Sequence, residues 1–211
     1  LDWLSKQGSY SSSLIFFRSP QAIDKLTMRL QRRLQITLPD NIDAMLRFYD
    51  PRVFESLISS LTPQQRDRFL SIGSKWWWVD RCGHLHSIDS NFEECDSVNC
   101  IESLSKEQEA KLIDACEPDQ VTDILRKNLP EHYLALSPSD RHPFVLRQMT
   151  AAKELGIHVT HELALFCGLS LLYGEDFTSE SDWKAALTQV KDGKIRLTEA
   201  TERVEGNEQE N

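Results

Sequence analysis

Hydrophobic and polar positions change their period along this chain. At the start the apolar runs are short and β-rich. Ser13–Arg18 (SLIFFR) reads as a strand, then Ser19-Pro20 supplies a cap and a first-turn proline, with Ile23, Leu26, Leu30 and Leu34 following at helical spacing. Leu38-Pro39-Asp40-Asn41 is a turn signal, and Ala44–Tyr49 reads as a second strand. Past Asp50-Pro51, the apolar residues Val53, Phe54, Leu57, Ile58 and Leu61 return to helical spacing, and Thr62-Pro63 starts a further short helix through Phe69. Trp76–Val79, Arg81-Cys82-Gly83 and His84–Ile88 then form a hairpin pattern, in which alternation puts Trp76 and Trp78 on one face and Trp77 on the other.

From Ser105 onward the period is helical throughout. Candidate helices are Ser105–Cys116, Pro118–Leu136 with a break at Pro130, Ser139–Leu155, Thr160–Tyr173 and Ser181–Val190. The stretch 91–104 lacks a period and reads as a linker, and its acidic Glu93, Glu94 and Asp96 as a solvated loop. Residues 191–211 are charged and poor in apolar side chains, which predicts a flexible tail. The expected fold is α+β: an N-terminal lobe over 1–90 (β-α-β-α, then a hairpin) and an all-helical lobe over 105–190.

Composition adds bounds. The 211 residues are 40% hydrophobic, enough for real cores, and no apolar run approaches the roughly 20 residues that cross a bilayer. With no signal segment, the expected compartment is the cytoplasm and no membrane partner is expected. Five cysteines in a chain of this size predict reduced thiols rather than a disulfide framework. Charge is unevenly spread: Leu1–Trp78 holds 11 Lys and Arg against 7 Asp and Glu, whereas Val79–Asn211 holds 13 against 26. The basic Arg29, Arg32 and Arg33 fall at helical spacing without interleaved aromatics, so a solvated helix face is expected there rather than a nucleic-acid surface.

Candidate chemistry is sparse. Cys82, His84 and His86, followed by Cys95 and Cys100, are zinc-type donors, but their spacing matches no familiar zinc pattern. Ser170 lies mid-helix with no nucleophile elbow around it. No glycine-rich phosphate loop occurs, and His158 and His161 flank a helix start as ordinary structural histidines. No cofactor is expected, and catalysis is not.

The sharpest local feature is LRFYDPRV, residues 46–53. Asp50 stands where a helix N-cap is wanted and Pro51 presets the first turn. Arg52 there opposes the helix dipole, which implies a carboxylate or carbonyl for it to hold, either within the fold or on a partner.

FFRSP (16–20), LQRRLQITLPD (30–40), LRFYDPRV (46–53), WWWVDRCG (76–83) and ELALFCGLSLLYGEDF (162–177) together resemble the effector adaptor or chaperone domain of bacterial type VI secretion, of the Tec/Tap type. The resemblance spans Phe16 to Phe177, and the Phe-Tyr-Asp-Pro-Arg corner is its most specific element. It implies a non-catalytic protein that binds a toxic effector and loads it onto the VgrG spike without being exported itself. It also implies residues ahead of Leu1, in keeping with Leu1–Leu4 reading as the end of a helix. On this reading the expected partner-binding residues are Arg47, Tyr49, Arg52, Phe54, Phe69 and Trp77. Two other readings stay open at this stage: a zinc-binding or hydrolytic enzyme using the Cys82–Cys100 region, and a nucleic-acid or regulatory binding module.

Overall fold

Three antiparallel strands carry the first aromatic cluster. The structure, a computed structural model, describes residues 13–96, 101 and 103–210. Among these the chain divides into two compact units, Leu1–Cys116 and Glu117–Asn211. The first is mixed and the second helical, so the fold is α+β as the periodicity predicts.

In the first unit, β1 (Ile15–Arg18), β4 (Lys75–Val79) and β5 (Leu85–Asp89) form a sheet in the order β1-β4-β5. The register pairs Phe16 with Trp77 and Phe17 with Trp76, and across the other seam Trp77 with Ser87 and Trp78 with His86. A separate hairpin joins β2 (Gln35–Thr37) to β3 (Asp43–Met45). Among the described residues, the helices between these strands are α1 (Ile23–Arg32), α2 (Pro51–Ser60) and α3 (Pro63–Leu70).

The inner face of the three-stranded sheet is a stack of rings. Trp76 lies between Phe17, at 4.5 Å, and Phe54 of α2, at 5.4 Å, while Trp78 meets Phe54 edge-on at 5.3 Å. Aromatic pairs in these geometries add about 0.5 to 1.5 kcal/mol each beyond their area burial. The Trp76 indole N–H donates to the Leu70 carbonyl at 3.1 Å, so this ring is satisfied as well as buried.

Several boundaries differ from those the sequence predicts. α1 starts at Ile23 after Ala22, with no side-chain cap, so Ser19-Pro20 lies outside the helix. The expected strand Ala44–Tyr49 is only Asp43–Met45; Leu46 and Phe48 stay buried and Arg47 and Tyr49 exposed, but they pair with no strand. The chain turns there because Asp50-Pro51 commits the next residues to α2.

The stretch read as a linker is held to the first unit. Glu93 N–H donates to the Ser71 carbonyl, Ile101 and Leu104 are buried, and Leu104 N–H donates to the Thr37 carbonyl of β2. Arg29 and Arg33, read as a solvated face, are buried instead, and only Arg32 of the three is largely exposed. Their burial is possible because Asp96, in that same stretch, supplies the counter-charge.

One helix, α4 (Lys106–Asn128), replaces the two predicted on either side of Pro118. A proline inside a helix costs a hydrogen bond, yet here it does not end the element; it stands just past the division between the units at Cys116 and Glu117. The rest of the second unit comprises α5 (Pro130–Ala135), α6 (Arg141–Glu154), α7 (Thr160–Tyr173), a single 3₁₀ turn (Phe177–Ser179), α8 (Ser181–Lys191) and α9 (Leu197–Glu210). Phe166, Phe177 and Trp183 form its aromatic centre, with ring separations of 5.3 and 5.1 Å. Gly168 allows a close helix approach, since a Cβ there would lie 3.1 Å from Leu129 Cδ1.

The predicted tail is therefore not a tail. Leu197, Ala200 and Val204 of α9 are buried in this core at a helical repeat that a polar composition masks.

Candidate partner-binding face

Strand alternation builds the site. With Trp76 and Trp78 committed to the core, the opposite face of the sheet presents Phe16 and Arg18 from β1, Lys75, Trp77 and Val79 from β4, and Leu85 and Asp89 from β5. Phe16 stands directly across from Trp77, and Val79 across from Leu85, so the register aligns two apolar pairs side by side. Phe16 is 45% exposed and Leu85 68% exposed, whereas Trp77 is half-buried. A charged border flanks them: Lys75 lies 3.2 Å from Asp89 and 5.8 Å from the centre of the Trp77 ring. An apolar strip with a polar margin and a large aromatic at its middle is the composition of a protein-recognition surface.

At the corner, Asp50 combines the cap of α2 with an ion pair to Arg52. Asp50 Oδ1 accepts from the Arg52 backbone N–H at 3.0 Å, capping α2, and the Arg52 side chain closes a two-pronged pair on both carboxylate oxygens at 3.0 and 2.8 Å. Arg47 reaches the same carboxylate more distantly, at 3.5 Å. Burial opposes ionisation of Asp50, but the Arg52 hydrogen bonds and the charges of Arg52 and Arg47 prevail and hold its carboxyl below the ordinary range. The cation that opposes the helix dipole is thus neutralised by the cap itself.

The expected partner residues separate into two groups. Tyr49 (52% exposed), Arg47, the half-buried Trp77 and Arg52, whose side chain is 34% exposed, reach the surface. Phe54 and Phe69 do not, and must be corrected: both are 0% exposed, Phe54 between the two inward tryptophans and Phe69 against Phe48 at 5.4 Å. Their helical spacing identifies a core face, and periodicity alone cannot distinguish an anchor from a core ring. Phe16 and Leu85, outside the expected set, lie on the same outer face as Trp77. The register places them there: Phe16 stands opposite Trp77 across the β1–β4 pairing, and Leu85 opposite Val79 across the β4–β5 pairing.

The zinc-type donors scatter in part. Cys82 and His84 lie in the β4–β5 turn with Asp80, and His86 follows on β5. Cys95 is an exposed thiol outside that group, and Cys100 lies outside the described residues. Burial, with Asp80 and Glu55 adding negative charge, pushes the Cys82 thiol up, which is the wrong direction for a nucleophile. Cys167 is pushed up to about 12 by burial. Ser170 is a core serine, donating to Gln148 Oε1 at 2.9 Å.

The segment that carries β1, α1 and the Asp50 corner is the part of the chain that a known family model matches. Residues 1–68 match the model of a domain of unknown function, DUF4123. This family is associated with type VI secretion adaptors. The DUF4123 match ends inside α3, so β4, β5 and the whole second unit lie beyond it. No curated protein and no solved structure matches the chain. Among the described residues no helix is long and apolar enough to cross a membrane.

Proposed function

We propose that this chain is an adaptor that binds a type VI secretion effector and promotes its loading onto the VgrG spike, by recognition and without turnover. The observation that carries the proposal is the DUF4123 match over residues 1–68, which contains the Asp50-Pro51-Arg52 corner. In this reading the Phe16–Trp77 face of the sheet anchors the effector, with Val79 and Leu85 extending the apolar strip. Lys75, Arg18 and Asp89 set orientation at its margin, since rim charges act more on specificity and encounter than on affinity. The adaptor works in the bacterial cytoplasm and is not itself exported. The nucleic-acid alternative loses its basic stripe, because Arg29 and Arg33 are buried on Asp96.

Co-expression with toxins encoded beside the adaptor and spike genes tests the function. A stoichiometric complex with one of them, which then associates with VgrG, is the expected result. Failure of every neighbouring candidate to co-purify overturns it.

A further inference from the structure

We propose that the turn of the β4–β5 hairpin is a transition-metal site that takes zinc(II) through Asp80, Cys82 and His84. The proposal is independent of the adaptor reading. One donor atom from each of the three side chains lies within 4.8 Å of the others. Donors around a single tetrahedral zinc, at roughly 2.0 to 2.3 Å from it, are about 3.4 to 3.7 Å apart, so closure requires only side-chain adjustment.

The turn fixes these side chains through the backbone. Asp80 Oδ1 accepts from the backbone N–H groups of Cys82 and His84, both at 2.8 Å, and Gly83, at a φ of 88°, completes the reversal. Capping the turn occupies only that oxygen. Oδ2 instead faces two imidazoles, His84 Nδ1 at 3.3 Å and His86 Nε2 at 2.8 Å. A turn needs neither a thiol at position 82 nor an imidazole at position 84, so their approach to within 4.8 Å of each other and of an Asp80 carboxylate oxygen is unexplained by the hairpin alone.

One sulfur, one nitrogen and one carboxylate oxygen suit a borderline cation, and exclude the all-oxygen preference of calcium and magnesium. On binding, the Cys82 thiol releases its proton to solvent as the Zn–S bond forms. The His84 ring carries its remaining proton on Nε2, leaving Nδ1 to donate its lone pair. His86, stacked on Trp78 with ring centres 5.5 Å apart, holds Asp80 from behind as a positioning residue. The fourth position belongs to water, because the turn is open: the His84 side chain is 75% exposed.

The test uses the full chain without a histidine tag, reduced and stripped with chelator, titrated with zinc chloride against a chromogenic competitor and separately with cobalt(II). The expected result is saturation at a single equivalent, with a thiolate-to-cobalt absorption band. Cys82→Ser should abolish that band and weaken zinc by at least about tenfold, and His84→Gln should weaken zinc similarly, whereas Cys95→Ser should change neither. His84 is exposed enough that its variant keeps the fold even if Cys82→Ser does not. Absence of saturable binding, or binding that His84→Gln and Cys82→Ser leave unchanged, overturns the site.

Discussion

Arg33 and Asp96 form a buried ion pair, with Nη2 2.9 Å from Oδ1 and side chains 0% and 5% exposed. Arg29 shares the same carboxylate at 2.6 Å, so one Asp compensates two buried guanidinium groups. Arg33 also donates to the carbonyls of Phe69, Arg68 and Arg29, which spreads the excess positive charge over backbone dipoles. Removing one partner of a buried pair costs about 3 to 5 kcal/mol because the remaining charge loses its compensation. Asp96→Asn should therefore destabilise the first unit by that amount in denaturant unfolding, while Glu94→Gln, at an exposed position, should change it by less than about 0.5 kcal/mol.

The same carboxylate makes stability fall in acid. Burial opposes ionisation of Asp96, but the hydrogen bonds and charges of Arg29 and Arg33 outweigh it and hold its carboxyl below the ordinary range, as Arg52 does for Asp50. Each then contributes stability that is fully present above the unfolded value, about 3.9, and is lost as pH falls through the lowered folded value. Unfolding free energy measured from pH 7 to pH 2 should fall below about pH 4, and Asp96→Asn should flatten that fall.

Asp50 should matter more to stability than Arg52. Asp50→Ala removes the cap of α2 and leaves Arg52 at a helix start, costing about 1 to 2 kcal/mol. Arg52→Ala removes a pair whose cation is about a third exposed, and should cost under about 1 kcal/mol. Thermal unfolding of the two variants checks the order; equal losses would mean that Arg52 holds more of the fold than its pair with Asp50.

The hairpin and the helical lobe are legible in the sequence because their periods are clean: Trp76 and Trp78 do face inward and Trp77 outward. The buried Arg29 and Arg33 are not legible, since a helical stripe of cations reads as solvated unless its counter-charge is known. That counter-charge, Asp96, comes from a stretch with no period at all. α9 was hidden for a related reason, because three small or medium apolar residues among glutamates leave composition polar while still providing one buried face. Of the candidate site, Trp77 follows from alternation, whereas Phe16 and Leu85 depend on strand pairing between segments some sixty residues apart or across a turn.

α9 gives a direct contrast between the two readings of the C-terminal stretch. Leu197→Ala should destabilise the second unit by about 2 to 5 kcal/mol, as for other fully buried leucines. A flexible tail would give no change in the unfolding midpoint.

Phe54→Ala and Trp77→Ala separate core from surface. The first removes a ring that is 0% exposed and should cost about 3 to 5 kcal/mol. The second trims a half-buried ring on the outer face and should cost clearly less by the same unfolding measurement.

The central claim is that the Phe16–Trp77 face holds the effector, and calorimetric titration of the co-purifying toxin into the parent chain and into the folded Phe16→Ser/Trp77→Ser variant tests it. The expected result is a loss of at least about 2 kcal/mol in binding, or roughly thirtyfold, as for an aromatic anchor. An affinity equal to that of the parent chain would contradict it.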